Sequence, residues 1–303
     1  TALQNALMSE SPLILIGGAS ATLLKGRGAL QDIEQIGLMK TVCKKVYSCN
    51  QVKKIVPMLK DAFKVAQTHP MGPVFVELPI DTLYPYETVL KEAGGGNNKK
   101  QSLFTKIVNA YVKLQVDYVF DNAFVKKENY QPLAPKKLPL IPNDKIIQAS
   151  KIISSSKKPL LVIGNQITQN KDRIEDCINY IKKMNIPCYL TGGARGLLGR
   201  KSELQYFHNR TPALKEADVI LLMGVTCDFR MGYGKKLNKK AKIIAVNHNY
   251  KNLNLNHGIF WNSTIKVNGD IPDFLERISK DYQFKNDEWT QILSEREEKR
   301  NTE

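Results

Sequence analysis

Histidine is scarce in this 303-residue chain, with four residues at His69, His208, His248 and His257. None stands at a metal-binding spacing from a cysteine or from another histidine, so no zinc-type centre is expected. The five cysteines, Cys43, Cys49, Cys177, Cys188 and Cys227, contain no Cys-x-x-Cys pair. Their odd number argues against a disulfide framework. Cys177, Cys188 and Cys227 sit in apolar surroundings, where a free thiol serves as a small hydrophobe. A reducing compartment follows, and the glycosylation sequons at Asn209 and Asn262 then count as chance matches. No apolar run approaches the roughly 20 residues that a membrane span needs. No signal peptide is visible, which in a chain opening on Thr1 says nothing of a longer parent. A Gly-x-Ser-x-Gly elbow is missing too. The stretch Gly193 to Ser202 lacks a Gly-Lys-Ser/Thr ending in register, and Gly232-Tyr233-Gly234 lacks a third glycine. ATP hydrolysis and a classical dinucleotide fingerprint are therefore not expected.

What is abundant is lysine. Lys and Arg number 45 against 29 Asp and Glu, a net charge of +16. Such a charge raises the question of nucleic acid. But the lysines fall in scattered pairs, such as Lys44-Lys45 and Lys182-Lys183, without interleaved aromatics or a nucleic-acid-binding motif,. They read as a solvated surface, and no nucleic-acid partner is expected.

The chain is long enough for two domains. Residues 1–85 read strand, helix, helix, strand, with Pro12 to Ile16 ending at Gly17-Gly18, an amphipathic helix over Gln51 to Thr68, and a buried strand over Pro73 to Leu78,. Too few strands occur there to complete a sheet, so this block is part of a doubly wound domain. Residues 86–142 form a connecting region with a Gly/Asn/Lys-rich linker and an apolar stripe from Leu103 to Phe120. That stripe suits a helix packed on a neighbouring domain or one lying on a membrane surface. Residues 143–275 alternate helix and strand, with strands at Pro159 to Ile163, Pro187 to Leu190, Val219 to Met223, Lys242 to Val246 and Ile265 to Val267. Alternation of this kind implies a parallel sheet with right-handed crossovers. The fold class is α/β: a Rossmann-like central domain preceded by part of a second doubly wound domain. Residues 276–303 are expected to begin a linker to a further domain.

Open α/β sheets bind ligands beyond the carboxyl ends of their strands. The groups at those ends are Gly18 in the first block, then Gly164, Asn165, Thr191, Gly192, Gly193, Arg195, Gly224, Asp228, Arg230, Asn247 and Asp270. Glycines there let backbone approach a ligand, helix N-termini attract phosphate, and Arg195 with Arg230 could grip a pyrophosphate. The competing reading is that the glycines only make tight turns.

Two stretches carry a family likeness. Gly72 to Asp81 (Gly-Pro-Val-Phe-Val-Glu-Leu-Pro-Ile-Asp) resembles the end of the pyrimidine-binding domain in thiamine-diphosphate enzymes of the acetolactate synthase group. Gly224 to Arg230 resembles in part the Gly-Ala-Arg-Phe-Asp-Asp-Arg stretch of their central domain; Gly28 to Gln31, Leu83 to Tyr86 and Ala194 to Arg200 extend the likeness along the chain. The resemblance implies thiamine diphosphate and Mg²⁺ in a parent protein, held by an activating Glu upstream of Thr1 and a Gly-Asp-Gly motif downstream of Glu303. Asn268-Gly269-Asp270-Ile271 is not that motif, so no metal ligand is assigned in this chain. It implies Gln31 as the retained residue of the substrate and cofactor pocket, and FAD or the ADP part of CoA as central-domain ligands. The activity implied is cleavage of a 2-hydroxyacyl-CoA to an aldehyde and formyl-CoA, with acetolactate-type condensation of 2-oxo acids as the alternative. A nucleotide-binding structural module without chemistry is the third reading. The family likeness also implies a homodimer or homotetramer and a parent on the cytosolic face of the endoplasmic reticulum membrane. Two departures stand out: Leu30 precedes Gln31 where flavin-binding members have Phe, and Asn247 replaces the carboxylate that could bond a ribose hydroxyl.

Overall fold

The computed structural model describes residues 1–30, 32–94, 102–123, 138–280, 282–285 and 287–302. Gln31 and the Gly/Asn/Lys-rich linker lie outside the described residues. The chain divides into two compact units, Thr1–Lys136 and Lys137–Glu303.

The first unit runs α1 (Ala2–Met8), β1 (Leu13–Ala19), α2 (Gln35–Lys40), β2 (Lys45–Ser48), α3 (Ile55–Gln67), β3 (Pro73–Pro79), α4 (Tyr86–Glu92) and α5 (Leu103–Phe120). Its three strands pair in parallel in the order β1-β3-β2. Pro73 to Pro79 is buried throughout, as expected of a central strand flanked on both sides,. Strand β1 does not stop at Gly17-Gly18 but continues to Ala19, because its register with β3 carries Gly18 opposite Leu78 and Ala19 opposite Pro79. Strand β2 was not legible as a strand: four residues, Lys-Val-Tyr-Ser, exposed at both ends, give no apolar run. Helix α3 turns Ala62 and Ala66 onto the sheet, where they pack with Val74, Val76 and Leu78. Helix α5 buries only Val116 and Val119. It meets α4 through Tyr86, which stacks edge-on against Phe120 and donates its hydroxyl to Asp117 at 2.7 Å.

The second unit runs α6 (Asn143–Ser154), β4 (Pro159–Ile163), α7 (Ile174–Met184), β5 (Cys188–Leu190), α8 (Arg210–Glu216), β6 (Val219–Met223), β7 (Lys242–Asn247), α9 (Tyr250–Leu253), β8 (Ile265–Asn268), α10 (Ile271–Ile278) and α11 (Asp287–Thr302). All five strands are parallel, in the order β5-β4-β6-β7-β8. Helix α7 carries Glu175 and Asp176 in its first turn and Lys182 and Lys183 in its last, matching the helix dipole,. It ends on Asn185 in the left-handed conformation, φ 54°, a conformation that Asn tolerates at a helix end. The strands and helices close on one apolar core from Ile141 to Leu293.

The final segment is part of that core. Within the stretch 276–303, expected to begin a linker, residues 276–278 close α10 and Asp287–Thr302 forms α11, whose Trp289 is fully buried and donates its indole N–H to Pro159 O at 3.0 Å. The charged run after Ser294 hides this anchor from a reading based on composition.

Candidate ligand site at the carboxyl ends of the second sheet

The strand order reverses at β4: the chain passes from β4 to β5 on one side and returns to β6 on the other. The carboxyl ends of β4 and β6 therefore flank the switch point where open α/β sheets take ligands. Gly164 and Gly224 stand at those ends. A Cβ on Gly164 would lie 2.1 Å from Gly224 O, and one on Gly224 would lie 2.6 Å from Ile271 Cδ1. Gly224 also has φ +65°, a conformation that glycine adopts without strain. The close approach that these glycines permit is thus between two strand ends. Gly192 behaves alike: its Cβ would fall 2.0 Å from Asn165 Oδ1, and that oxygen accepts the Gly193 N–H. Gly164, Asn165, Gly192 and Gly224 fasten three turns to one another.

Asn247, a sequence-predicted ligand residue, has an internal role. It is fully buried; its Oδ1 accepts from Gln166 Nε2 at 2.7 Å and from Asn249 N at 2.8 Å, while its Nδ2 donates to Val225 O at 3.4 Å. A carboxylate there would face the Val225 carbonyl without a donor, which explains Asn on physical grounds. Arg230, expected to share a pyrophosphate with Arg195, is already engaged. Asp228 takes its guanidinium through Nε at 3.0 Å and Nη2 at 2.6 Å, and caps the following turn by accepting Arg230 N at 2.9 Å. That pairing removes Arg230 as a free anion clamp.

Gly193 spends its N–H on Asn165, and Thr191, Arg195 and Asp270 are the remaining candidates with polar side chains. Arg195 is exposed; its backbone N–H donates to Gly192 O at 3.3 Å, and its guanidinium makes no hydrogen bond or ion pair among the described residues. Asp270 precedes α10, and burial holds its carboxyl above the usual carboxylate range, with the charges of His248 and Arg173 pulling the other way. Gly18 belongs to the first unit: Gln35 Nε2 donates to its carbonyl at 2.8 Å, and a Cβ there would meet nothing within 4 Å, so that strand end is open.

Several polar residues went unnoticed in the sequence. Glu77 lies in the all-buried strand β3 and is fully buried; its Oε2 accepts from Lys25 Nζ at 2.9 Å and Ser48 Oγ at 2.6 Å, leaving Oε1 without a partner. A single carboxylate inside Val-Phe-Val-Glu-Leu is the signal that could have found it. Asp81 accepts both the N–H and the hydroxyl of Thr22, tying the turn after β1 to the end of β3. Among the described residues no group of three or more His, Cys, Asp or Glu could hold a metal ion, and no helix is long and apolar enough to cross a membrane.

The five-stranded unit matches a known family model, "Thiamine pyrophosphate enzyme, central domain", over residues 146–278. Over those residues the second unit is similar to the central domain of thiamine pyrophosphate enzymes. Similarity extends over both units. The chain is 43% identical over 297 residues to 2-hydroxyacyl-CoA lyase 2 of Danio rerio, covering 97% of this chain and 47% of that protein. It is 40% identical over 304 residues to the Caenorhabditis elegans protein of the same name, covering 99% and 47%. A probable acetolactate synthase of Mycobacterium bovis is 23% identical over 248 residues, 81% of this chain and 38% of that protein. The chain thus spans about half the length of the curated relatives it matches most strongly. In the second unit the switch point between β4 and β6 is closed by its own glycines and amides.

Proposed function

We propose that this chain is part of a thiamine-diphosphate-dependent lyase that cleaves a 2-hydroxyacyl-CoA to an aldehyde and formyl-CoA. The observation that carries the reading is the 43% identity that runs through both units, well beyond the family model's residues 146–278. Thiamine diphosphate, when bound, supplies the nucleophilic carbon and the ring that accepts electrons during carbon–carbon cleavage. The chain's own contribution on the first unit is the open strand end at Gly18, and Gln31 is proposed as a residue of the substrate and cofactor pocket. Mg²⁺ belongs in this reading to a part of the parent outside the chain.

At the second unit the proposed ligand is an adenine nucleotide, the ADP part of CoA or of FAD. Thr191, Gly193, Arg195 and Asp270 would hold it from the flanks of the switch point. Asn247 offers no carboxylate for a ribose hydroxyl, which favours CoA over FAD. A homodimer or homotetramer in the cytosol, anchored at the endoplasmic reticulum membrane, completes the proposal. The apolar outer face of α5, with Phe104 75% and Leu114 66% exposed, supports contact with a membrane or a neighbouring domain.

The test uses the whole parent protein with thiamine diphosphate and Mg²⁺. Release of formyl-CoA from a 2-hydroxyacyl-CoA is expected, and Gln31→Ala is expected to lose turnover while remaining folded. Condensation of 2-oxo acids without formyl-CoA would establish the synthase reading, which the 23% identity to an acetolactate synthase keeps in view.

A further inference from the structure

Helix α5 has two apolar sides, and the first unit covers one of them. Val116 and Val119 are buried, and Asn109 and Val112 on the same side are half-buried. On the opposite side Leu103, Phe104, Ile107, Tyr111, Leu114 and Tyr118 are all exposed. At the pitch of an α-helix these six fall within one arc of about 100°. That is the width of stripe a surface helix normally turns towards a core.

Polar contacts hold the helix in this orientation. Ser102 caps its start by accepting Thr105 N at 3.2 Å. Near its end Gln51 Nε2 donates to Tyr118 O at 3.1 Å, Tyr86 donates to Asp117 at 2.7 Å, and Lys53 pairs with Asp121 at 2.5 Å. Asp117 is the only acidic residue within α5, and Tyr86 already engages it. Lys106 and Lys113, two turns apart, line one margin of the exposed stripe and make no hydrogen bond or ion pair among the described residues. The outward side of α5 is therefore apolar along its centre and positively charged along its edge.

The geometry points to this stripe as a docking face for an anionic lipid bilayer, with α5 lying flat in the surface. Such a helix seats its apolar side chains at the boundary of headgroups and acyl chains, while lysine stems extend to the headgroups. A protein occupant fits less well. A stable protein interface uses roughly 20–30 residues a side, and the stripe offers six. The net charge of +16 also opposes a second copy of the chain and favours an anionic surface,. Because α5 is not long and apolar enough to cross a membrane, it lies on the bilayer rather than through it. The inference rests on the membrane association proposed above and assigns it to one face of one helix.

Flotation of the 303-residue chain with vesicles of seven parts phosphatidylcholine to three of phosphatidylserine, at low salt, tests it. Binding is expected to be at least tenfold stronger than to phosphatidylcholine alone. Phe104→Ser/Ile107→Ser/Leu114→Ser should weaken it at least tenfold with an unchanged melting temperature. Lys106→Gln/Lys113→Gln should narrow the preference for the anionic vesicles. Ile33→Ser/Leu38→Ser, which removes exposed apolar side chains elsewhere on the first unit, should change neither. No flotation, equal flotation by the wild type and the folded triple variant, or an equal loss in Ile33→Ser/Leu38→Ser would overturn the assignment. So would a triple variant that lost self-association in sedimentation yet kept its vesicle binding, since the face would then belong to a second copy. A whole parent that stays on membranes while carrying the triple substitution would overturn the assignment to α5 and leave the anchorage reading intact.

Discussion

Gly164 shows how a residue can be correctly singled out for an incomplete reason. Its position at the end of an apolar strand marked it in the sequence, yet the space for a missing Cβ is taken by the Gly224 carbonyl rather than by a ligand. Gly164→Ala should therefore destabilise the second unit by about 1–3 kcal/mol or more, since a packed backbone must shift. Gly193→Ala, whose Cβ would meet ordinary contacts at 3.5 Å and beyond, should leave the melting temperature nearly unchanged. Equal melting temperatures for the two variants would contradict this account. The thiols make a second case. Burial raises the pKa values of Cys177, Cys188 and Cys227 to about 12. Each is an acid whose folded pKa exceeds its unfolded one, so the native chain holds more protons between the two values. Stability from these groups is complete below the unfolded thiol pKa of about 8.5, and falls as pH rises from there towards about 12. Urea midpoints at pH 7.5 and pH 10 should show the loss, and a Cys177→Ala/Cys227→Ala variant should show less of it. Their apolar neighbours made the burial of these cysteines legible. The pairing of Asp228 with Arg230 needed the turn geometry, because spacing alone leaves an arginine free to face either way.

At the scale of elements, what the sequence revealed depended on length and polarity. Apolar runs such as Leu160 to Ile163 and Ile220 to Met223 announced buried strands, and the amphipathic pattern announced α7. The four-residue strand β2 and the four-residue helix α9 carry too little periodicity to read. Helix α11 escaped for a different reason. Most of its residues are charged or polar, and its hold on the unit depends on Trp289 and Leu293, with Glu297 accepting two backbone N–H groups from residues 207 and 208. Trp289→Ala removes a fully buried indole and its hydrogen bond to Pro159, at a cost of about 3–5 kcal/mol,. Because Glu297 sits two turns further along α11, the same variant should also loosen the 207–208 segment. Amide hydrogen exchange at Phe207 and His208 should accelerate with the loss of stability, and unchanged protection there would mean that α11 is anchored elsewhere.

For the whole molecule, the two units differ in how completely they bury themselves. The second has five parallel strands and one continuous core that extends from Ile141 through Leu293. The first has a three-stranded sheet and a small core drawn from Cys49, Ala62, Ala66, Val74, Val76 and Leu78. It leaves Leu30 91%, Leu38 60% and Leu83 55% exposed. Exposed apolar surface on this scale marks an interaction site or an aggregation liability. A domain short of core seldom stands alone in water, since each ordered residue costs about 1–2 kcal/mol of backbone entropy that burial must offset. Residues 138–302 expressed alone should therefore give a cooperative thermal transition with helical and strand signatures in circular dichroism. Residues 1–123 alone should bind a hydrophobic dye, aggregate on warming and show no cooperative transition. The reverse outcome, a cooperative first unit and a molten second, would mean that core size does not govern folding here.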